Sequence, residues 1–227
     1  MKILYLIPAR GGSKGIPHKN SKLLAGKPLI QYAIENALQA AGPDDDICVS
    51  TDDDEVARIA RGCGLEVPFK RPAELAQDHS GSYEVILHAL RHYESLGRRY
   101  DAVVLLQPTS PFRRVQHILD AIALYTPECD MVVSVTEARS NPYYLMFLED
   151  ERGYLTHLLQ GHFTRRQDCP TVYEYNGAVY VMNPDSLRQK SLAQFTRNRK
   201  YVMTPADSID LDTPADWDYA EFLMRRE

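Results

Sequence analysis

Ile7-Pro8-Ala9-Arg10-Gly11-Gly12-Ser13-Lys14-Gly15-Ile16-Pro17-His18-Lys19-Asn20 continues directly from the apolar run Ile3-Leu4-Tyr5-Leu6-Ile7. An unbroken apolar run of that length reads as a strand buried on both faces, the kind that parallel sheets contain. The loop therefore leaves the carboxyl end of a strand, where open α/β folds bind ligands. Gly11, Gly12 and Gly15 lack Cβ atoms, so backbone N–H groups can turn toward an anion while Arg10, Lys14 and Lys19 supply positive charge. That combination suits a polyphosphate. The stretch lacks the Gly-Lys-Ser/Thr ending of a P-loop and the spacing of a dinucleotide fingerprint, so neither class is expected. Taken alone, the competing reading is a basic surface turn.

Outward from the loop, strand and helix patterns alternate. Pro28 precedes an amphipathic helix over 29–38 that Gly42-Pro43 closes, and Ile47 to Ser50 is a strand. Thr51-Asp52-Asp53-Asp54-Glu55 reads as a helix cap with acids in the first turn rather than as a metal cluster. Val56, Ile59 and Ala60 then face inward, and Leu65 to Phe69 is a short strand. A polar stretch runs on to Ser82, followed by a helix over 83–96. His88 and His92 on that helix have metalloprotease spacing, but Ala89 stands where that motif needs Glu, so they are expected to be solvated. Ala102 to Leu106 is a second continuous apolar run, expected at the sheet's centre and ending in Gln107-Pro108-Thr109-Ser110-Pro111. A helix near 115–125 and a strand over 131–135 complete the alternation, which implies an α/β fold with a mostly parallel sheet and helices on both faces.

From about Thr136 to Tyr175 the alternation stops, in a stretch rich in aromatics, Pro and Arg that is too long for a simple loop. It reads as a small subdomain or dimerisation arm on one domain covering residues 1–227. The sheet resumes at Gly177 to Met182, and Tyr201-Val202-Met203 adds a last strand. Ser208-Ile209-Asp210-Leu211-Asp212 alternates, so Asp210 and Asp212 project to one side before a helix that Thr213, Pro214 and Asp216 begin. Two such carboxylates beside a polyphosphate loop suit Mg²⁺, with Mn²⁺ as a substitute, because that ion takes one or two carboxylates plus phosphate oxygens. Surface acids near a helix start are the alternative.

Composition narrows the ligand. With 227 residues, 44% hydrophobic and 25% charged, the chain is an ordinary globular protein. Its net charge of −5 and lack of a sustained basic tract exclude nonspecific nucleic-acid binding, so the basic loop implies a small anion. Cys48, Cys63, Cys129 and Cys169 lie far apart with no Cys-x-x-Cys pair, which argues for free thiols rather than zinc or a disulfide framework. No run is long enough for a membrane span and residues 1–7 are too short for a signal peptide, so a cytoplasmic protein is expected.

Five ordered motifs carry a resemblance. The 7–17 loop with Lys19-Asn20, Arg71-Pro72-Ala73-Glu74-Leu75-Ala76, Leu106 to Pro111, Arg166-Gln167 with Asn176-Gly177-Ala178, and Ser208 to Thr213 resemble the acylneuraminate cytidylyltransferases, the CMP-sialic acid synthetases. The resemblance spans nearly the whole chain. It implies a Rossmann-like nucleotidyltransferase fold in which the 2-hydroxyl of a nonulosonic acid attacks the α-phosphate of CTP, releasing pyrophosphate. By motif it implies Arg10, Ser13, Lys14 and Lys19 on the triphosphate, Asn20 beside the nucleotide, Arg71 and Ser82 at cytosine, and Gln107 between nucleotide and sugar. Tyr180 and Phe195 would wall the sugar pocket, Asp210 and Asp212 would hold the metal, and Arg10, Lys14 and Asp212 would carry catalysis. A homodimer is implied, with Arg166 of one copy pairing with the sugar carboxylate in the other. Some members that act on N-acetylneuraminate place a Lys in the arm's first strand, where this chain has Tyr143-Tyr144, so the resemblance leaves the sugar open. The competing enzyme reading is a CMP-Kdo or sugar-phosphate nucleotidyltransferase. The non-enzyme reading is a silent nucleotide-binding module, against which Lys14, Asp210 and Asp212 all stand.

Overall fold

In the computed structural model, which describes residues 1–77 and 81–226, the chain opens with β1 (Ile3–Pro8) and the glycine loop. A hairpin of β2 (Leu23–Leu24) and β3 (Lys27–Pro28) leads into α1 (Leu29–Ala40), followed by β4 (Asp46–Ser50), α2 (Asp54–Gly62), α3 (Ser82–Ser95), β5 (Ala102–Leu105), α4 (Val115–Ala123) and β6 (Met131–Glu137). The arm contributes β7 (Phe147–Glu149) and β8 (Leu155–His157). Then come β9 (Tyr173–Met182), α5 (Pro184–Gln189), β10 (Asn198–Val202) and α6 (Pro214–Met224). The main sheet has the order β10-β6-β9-β5-β1-β4. β1 runs parallel to β4 and β5, and β10 to β6, whereas β9 is antiparallel to both its neighbours.

Strand alternation splits the core. Ile3, Tyr5 and Ile7 pack with α1, α2 and α4 on one face, while Leu4 and Leu6 pack with α3 and α5 on the other. The expected two-faced α/β sheet is thus present, with the two apolar runs β1 and β5 side by side inside it. A third cluster joins Ile16 of the glycine loop to Leu24, Leu29, Leu211, Trp217 and Ala220, so α6 presses the loop against the segment that carries Asp210 and Asp212. Asp53 caps α2 by accepting from the backbone N–H groups of Glu55 at 2.8 Å and Val56 at 3.3 Å, as its acidic run implies.

Several expectations need correction. Leu65 to Phe69 forms no strand; only a parallel bridge between Thr51 and Lys70 links this segment to the sheet's neighbourhood. His88 and His92 are half-buried rather than solvated, because both rings meet the Phe69 ring, at 4.6 and 4.8 Å between centroids. Part of the polar stretch before Ser82 lies outside the described residues. The arm's first extended piece starts at Phe147 instead of Tyr143, since Asn141 accepts from the Tyr143 backbone N–H at 3.0 Å and turns the chain there. Cys48 and Cys129 are buried and all four thiols are free, but Cys63 and Cys169 are only half-buried. No helix among the described residues is long and apolar enough to cross a membrane.

At the start of β6, Asp130 ties together three segments that close the sheet beyond β9. Its carboxylate is completely covered by protein contacts. It accepts from Lys190 at 2.8 Å, Ser186 Oγ at 2.7 Å, the Arg197 guanidinium at 3.0 Å and the backbone N–H groups of Thr196 and Arg197. Desolvation would raise its pKa, but these donors and charges outweigh it and hold the carboxyl far below the ordinary range. Asp130→Ala should therefore cost about 3 kcal/mol in denaturant unfolding at neutral pH. Because the folded pKa is depressed, this contribution is present above the unfolded value and disappears as pH falls. The wild-type advantage should shrink below about pH 4, and an advantage unchanged down to pH 2 would contradict it.

Candidate active site

The glycine loop is closed from both sides by short backbone contacts. Gly11 N–H donates to Asp52 Oδ1 at 3.1 Å, and the Asn20 amide donates to the Arg10 carbonyl at 2.9 Å, which folds the loop back on itself. Asp52, read from sequence as part of a helix cap, thus serves the loop while its neighbour Asp53 caps. His18 takes a left-handed φ of 53°, a conformation that a non-glycine residue holds only when its surroundings enforce it. On the far side, a Cβ built on Gly15 would lie 2.2 Å from the Asp212 carbonyl oxygen, so only glycine allows this approach. Lys19 Nζ spans the same contact, donating to the Leu211 carbonyl at 2.6 Å and pairing with Asp212 Oδ1 at 3.2 Å.

These closures shape a cavity of about 320 Å³ at the carboxyl ends of β1 and β5. Arg10, Ser13, Lys14, Lys19 and Asn20 from the loop line it, together with Arg71, Ser82, Gln107 and Asp212. Every residue expected at a nucleotide from the sequence is therefore on one wall or another of a single cavity. Arg71 is held in place before any ligand arrives: its Nε donates to Ser50 Oγ at 3.1 Å, its Nη2 to the Ser50 carbonyl, and its own N–H to the Thr51 carbonyl at 2.7 Å. Burial pushes its pKa down to about 10, which leaves it fully charged at neutral pH. Ser50, the residue that aims Arg71, carries no signal in the sequence beyond ending a strand.

A second pocket of about 300 Å³ adjoins the first and shares Gln107 with it. Thr136, Glu174, Tyr175, Tyr180 and Asp210 contribute to its wall. Sequence reasoning found Tyr180 and Gln107 but not Thr136, Glu174 or Tyr175, which sit where the arm departs from the sheet. Asp210 lines this pocket and Asp212 the first, with Leu211 buried between them, so the two acids straddle the boundary. Asp210 is exposed as a residue, yet enough protein surrounds its carboxyl that desolvation raises its pKa; a Thr109 hydrogen bond opposes this and the Asp212 charge adds to it. Two oxygen donors whose charges repel each other fit a hard divalent cation. Among the described residues no third acid, His or Cys completes a protein cage, which leaves the other positions for ligand oxygens and water.

Two expected sugar-site residues lie elsewhere. Phe195 is buried in the apolar layer with Met182 and Leu187, under Lys190, and lines neither pocket. Arg166 sits on the arm beside a separate groove and donates to the Arg139 carbonyl at 2.9 Å, so one chain by itself does not bring it to the site.

The sequence matches a family model described as cytidylyltransferase over residues 4–226. A CMP-N,N'-diacetyllegionaminic acid synthase of Legionella pneumophila is 36% identical, with 99% of this chain and 97% of that protein aligned. An N-acylneuraminate cytidylyltransferase of Streptococcus agalactiae is 38% identical over 96% of this chain, which spans about half (52%) of that longer protein. Among solved structures, a CMP:2-keto-3-deoxy-manno-octonic acid synthetase complexed with CTP superposes with a TM-score of 0.73 at 20% identity. The match covers 100% of this chain and 99% of that one, and at this identity it bears on the fold alone.

The contact between Gly15 and Asp212 can be tested directly. Gly15→Ala should lower stability by about 2 kcal/mol, a Tm drop of roughly 4–8 °C for a domain of this size. Gly12→Ala, whose Cβ would meet nothing within 4 Å, should change Tm by less than about 2 °C. Equal shifts in thermal unfolding would mean that the close approach does not constrain the loop.

Proposed function

The chain belongs to the cytidylyltransferase family, and from that premise we propose that it couples CTP to a nonulosonic acid to give the CMP-sugar and pyrophosphate. The observation that carries the reading is the pair of adjoining pockets meeting at Gln107, one basic and glycine-lined, the other aromatic and polar. Relatives named for legionaminic, N-acylneuraminic and pseudaminic acids support the sugar class. The cytosine stands against Arg71 and Ser82, where the fixed guanidinium fork offers donors to the base's carbonyl and ring nitrogen. Arg10, Ser13, Lys14 and Lys19 hold the triphosphate.

In the second pocket the sugar acid lies against Tyr180, with Gln107 orienting it toward the α-phosphate. Its 2-hydroxyl oxygen forms the new P–O bond as the bond to pyrophosphate breaks, and the hydroxyl proton passes to solvent. Arg10 and Lys14 neutralise charge that grows on the departing pyrophosphate, and the positioning supplied by the two walls does much of the remaining work. Asp210 and Asp212 would hold Mg²⁺, which when bound supplies further neutralisation and a more acidic hydroxyl. Lys19 would then exchange its Asp212 partner for phosphate.

The active form in this reading is a homodimer. The arm exposes Leu145, Met146, Phe147, Leu148, Leu155 and Leu159, a concentration of large apolar side chains of the kind that marks an interaction surface. Burial against a second copy would cover it and carry Arg166 toward the other subunit's sugar carboxylate as a bidentate, charge-assisted pair.

Pyrophosphate release from CTP with N-acetylneuraminic, legionaminic and pseudaminic acids in turn tests the activity, and no release with any of them would overturn it. Asp212→Ala should lower turnover at least about a hundredfold, and excess EDTA should abolish turnover in the wild type. Full activity in either case rejects the metal assignment. For the shared site, Lys14→Ala and Arg166→Ala subunits refolded together should recover about a quarter of wild-type activity, since random pairing leaves one site intact in half of the dimers. No recovery despite demonstrated subunit exchange places Arg166 outside the partner's site.

A further inference from the structure

Arg113 is 2% exposed and has no carboxylate partner among the described residues. Its Nη1 donates to two backbone carbonyls, Gln107 at 3.0 Å and Ala178 at 2.8 Å, while Nε and Nη2 are buried with no partner among the described residues. Desolvation pushes its pKa down to about 9. A cation placed there with most of its donors unmet is costly, and an uncharged aliphatic side chain would fill the space more cheaply. What Arg113 joins accounts for it.

One carbonyl belongs to a residue that lines both pockets, the other to the strand β9 that lines the second pocket through Asn176, Gly177 and Tyr180. Gln107 follows β5 and is the residue that both pockets share. Ala178 lies in an irregular stretch of β9: Val133 of β6 pairs with Tyr180, but Val135 pairs with Tyr175, so β9 bulges over residues 176–179. Inside this bulge the ladder is replaced by side-chain hydrogen bonds. Ser134 Oγ takes the Val179 N–H at 2.7 Å and donates to Asn176 Oδ1 at 2.6 Å, and Asn176 Oδ1 also accepts from the Ala178 N–H at 3.2 Å. Arg113 satisfies the Ala178 carbonyl. At Gly177, with φ +75°, a Cβ would lie 2.7 Å from Gln107 Oε1, so the Gln107 amide rests directly on the bulge.

We infer that Arg113 is a positioning residue for the proposed reaction: by clamping the Gln107 and Ala178 carbonyls together, it fixes the Gln107 amide and the β9 bulge as one wall of the sugar-acid pocket. It touches no substrate and acts through Gln107. The cytosine wall is set independently by Ser50 and Arg71, so loss of the clamp falls mainly on the sugar acid and reaches CTP only through the side of Gln107 that faces the first cavity.

The inference rests on the proposed reaction, and wild type in the same assay separates the two: no wild-type turnover rejects that reading, whereas normal wild-type turnover with unaltered variants rejects the role of Arg113. With the acid that wild type accepts, Arg113→Met should raise the KM for the acid about tenfold and change the KM for CTP less than about twofold. Arg113→Lys, which keeps a donor within the same cavity, should return the acid KM to within about threefold of wild type. In a Gln107→Ala background, Arg113→Met should cost much less than it does alone, because the residue through which it acts is gone. Equal effects on both KM values, additive losses in the double variant, or no kinetic effect would each overturn the inference. Should Arg113→Met fail to give folded protein, judged by the loss of a CTP-induced rise in Tm, Arg113→Gln carries the same comparison with the same outcomes.

Discussion

The close approach of the glycine loop to the Asp212 backbone is the contact on which the rest of the site depends. It joins positions nearly two hundred residues apart, with Gly15 against the Asp212 carbonyl and the Lys19 ammonium bridging to Leu211 and Asp212. A methyl group at Gly15 would force these backbones apart, and a longer side chain would occupy the cavity between them. The buried cluster of Ile16, Leu24, Leu211 and Trp217 holds the contact from behind, so hydrophobic packing by α6 sets the distance between a basic loop and two acids. Lys19 and Asp212 form an ion pair across this contact, and the cavity lined by the rest of the loop opens beside it.

The sheet supplies the second constraint. β1 and β5 are parallel neighbours, so their carboxyl ends bring the glycine loop and the Gln107 turn to the same rim. β9 enters the sheet antiparallel on the other side of β5, which sets its bulge beside Gln107 and opens a pocket where a regular ladder would have closed the surface. Side chains of Ser134, Asn176 and Arg113 take over the hydrogen bonds that the bulge gives up. An irregular strand is thus stabilised at the one place where the architecture needs a second cavity.

The arm leaves the sheet at the same point, between the last pair of β6 and β9, Glu137 with Tyr173. Its hairpin carries apolar residues on the outside and few of its own contacts to the sheet, which is the reverse of how the rest of the chain arranges its apolar residues. In the proposed dimer that inversion becomes an interface, and the pocket at the root of the arm lies beside it.

Read without coordinates, the chain already determined the two-faced sheet, the place of the glycine loop at a strand's end, and the cap and acid pair before α6. Each of these rests on local periodicity or on the conformational range of glycine, proline and capping residues, which act within a few positions along the chain. The ordered motifs also identified the family. Local patterns misled where tertiary contacts prevailed: Leu65 to Phe69 has strand-like composition but finds no neighbouring strand to pair with beyond one bridge, and the histidines of α3 are drawn into packing by Phe69. Only the tertiary structure decided that Ser50 aims Arg71, that Asp52 braces the loop, that Phe195 belongs to the core and that Arg113 clamps the wall between the pockets. Those assignments depend on which backbone groups of distant segments come within hydrogen-bonding distance, and no single segment carries that information.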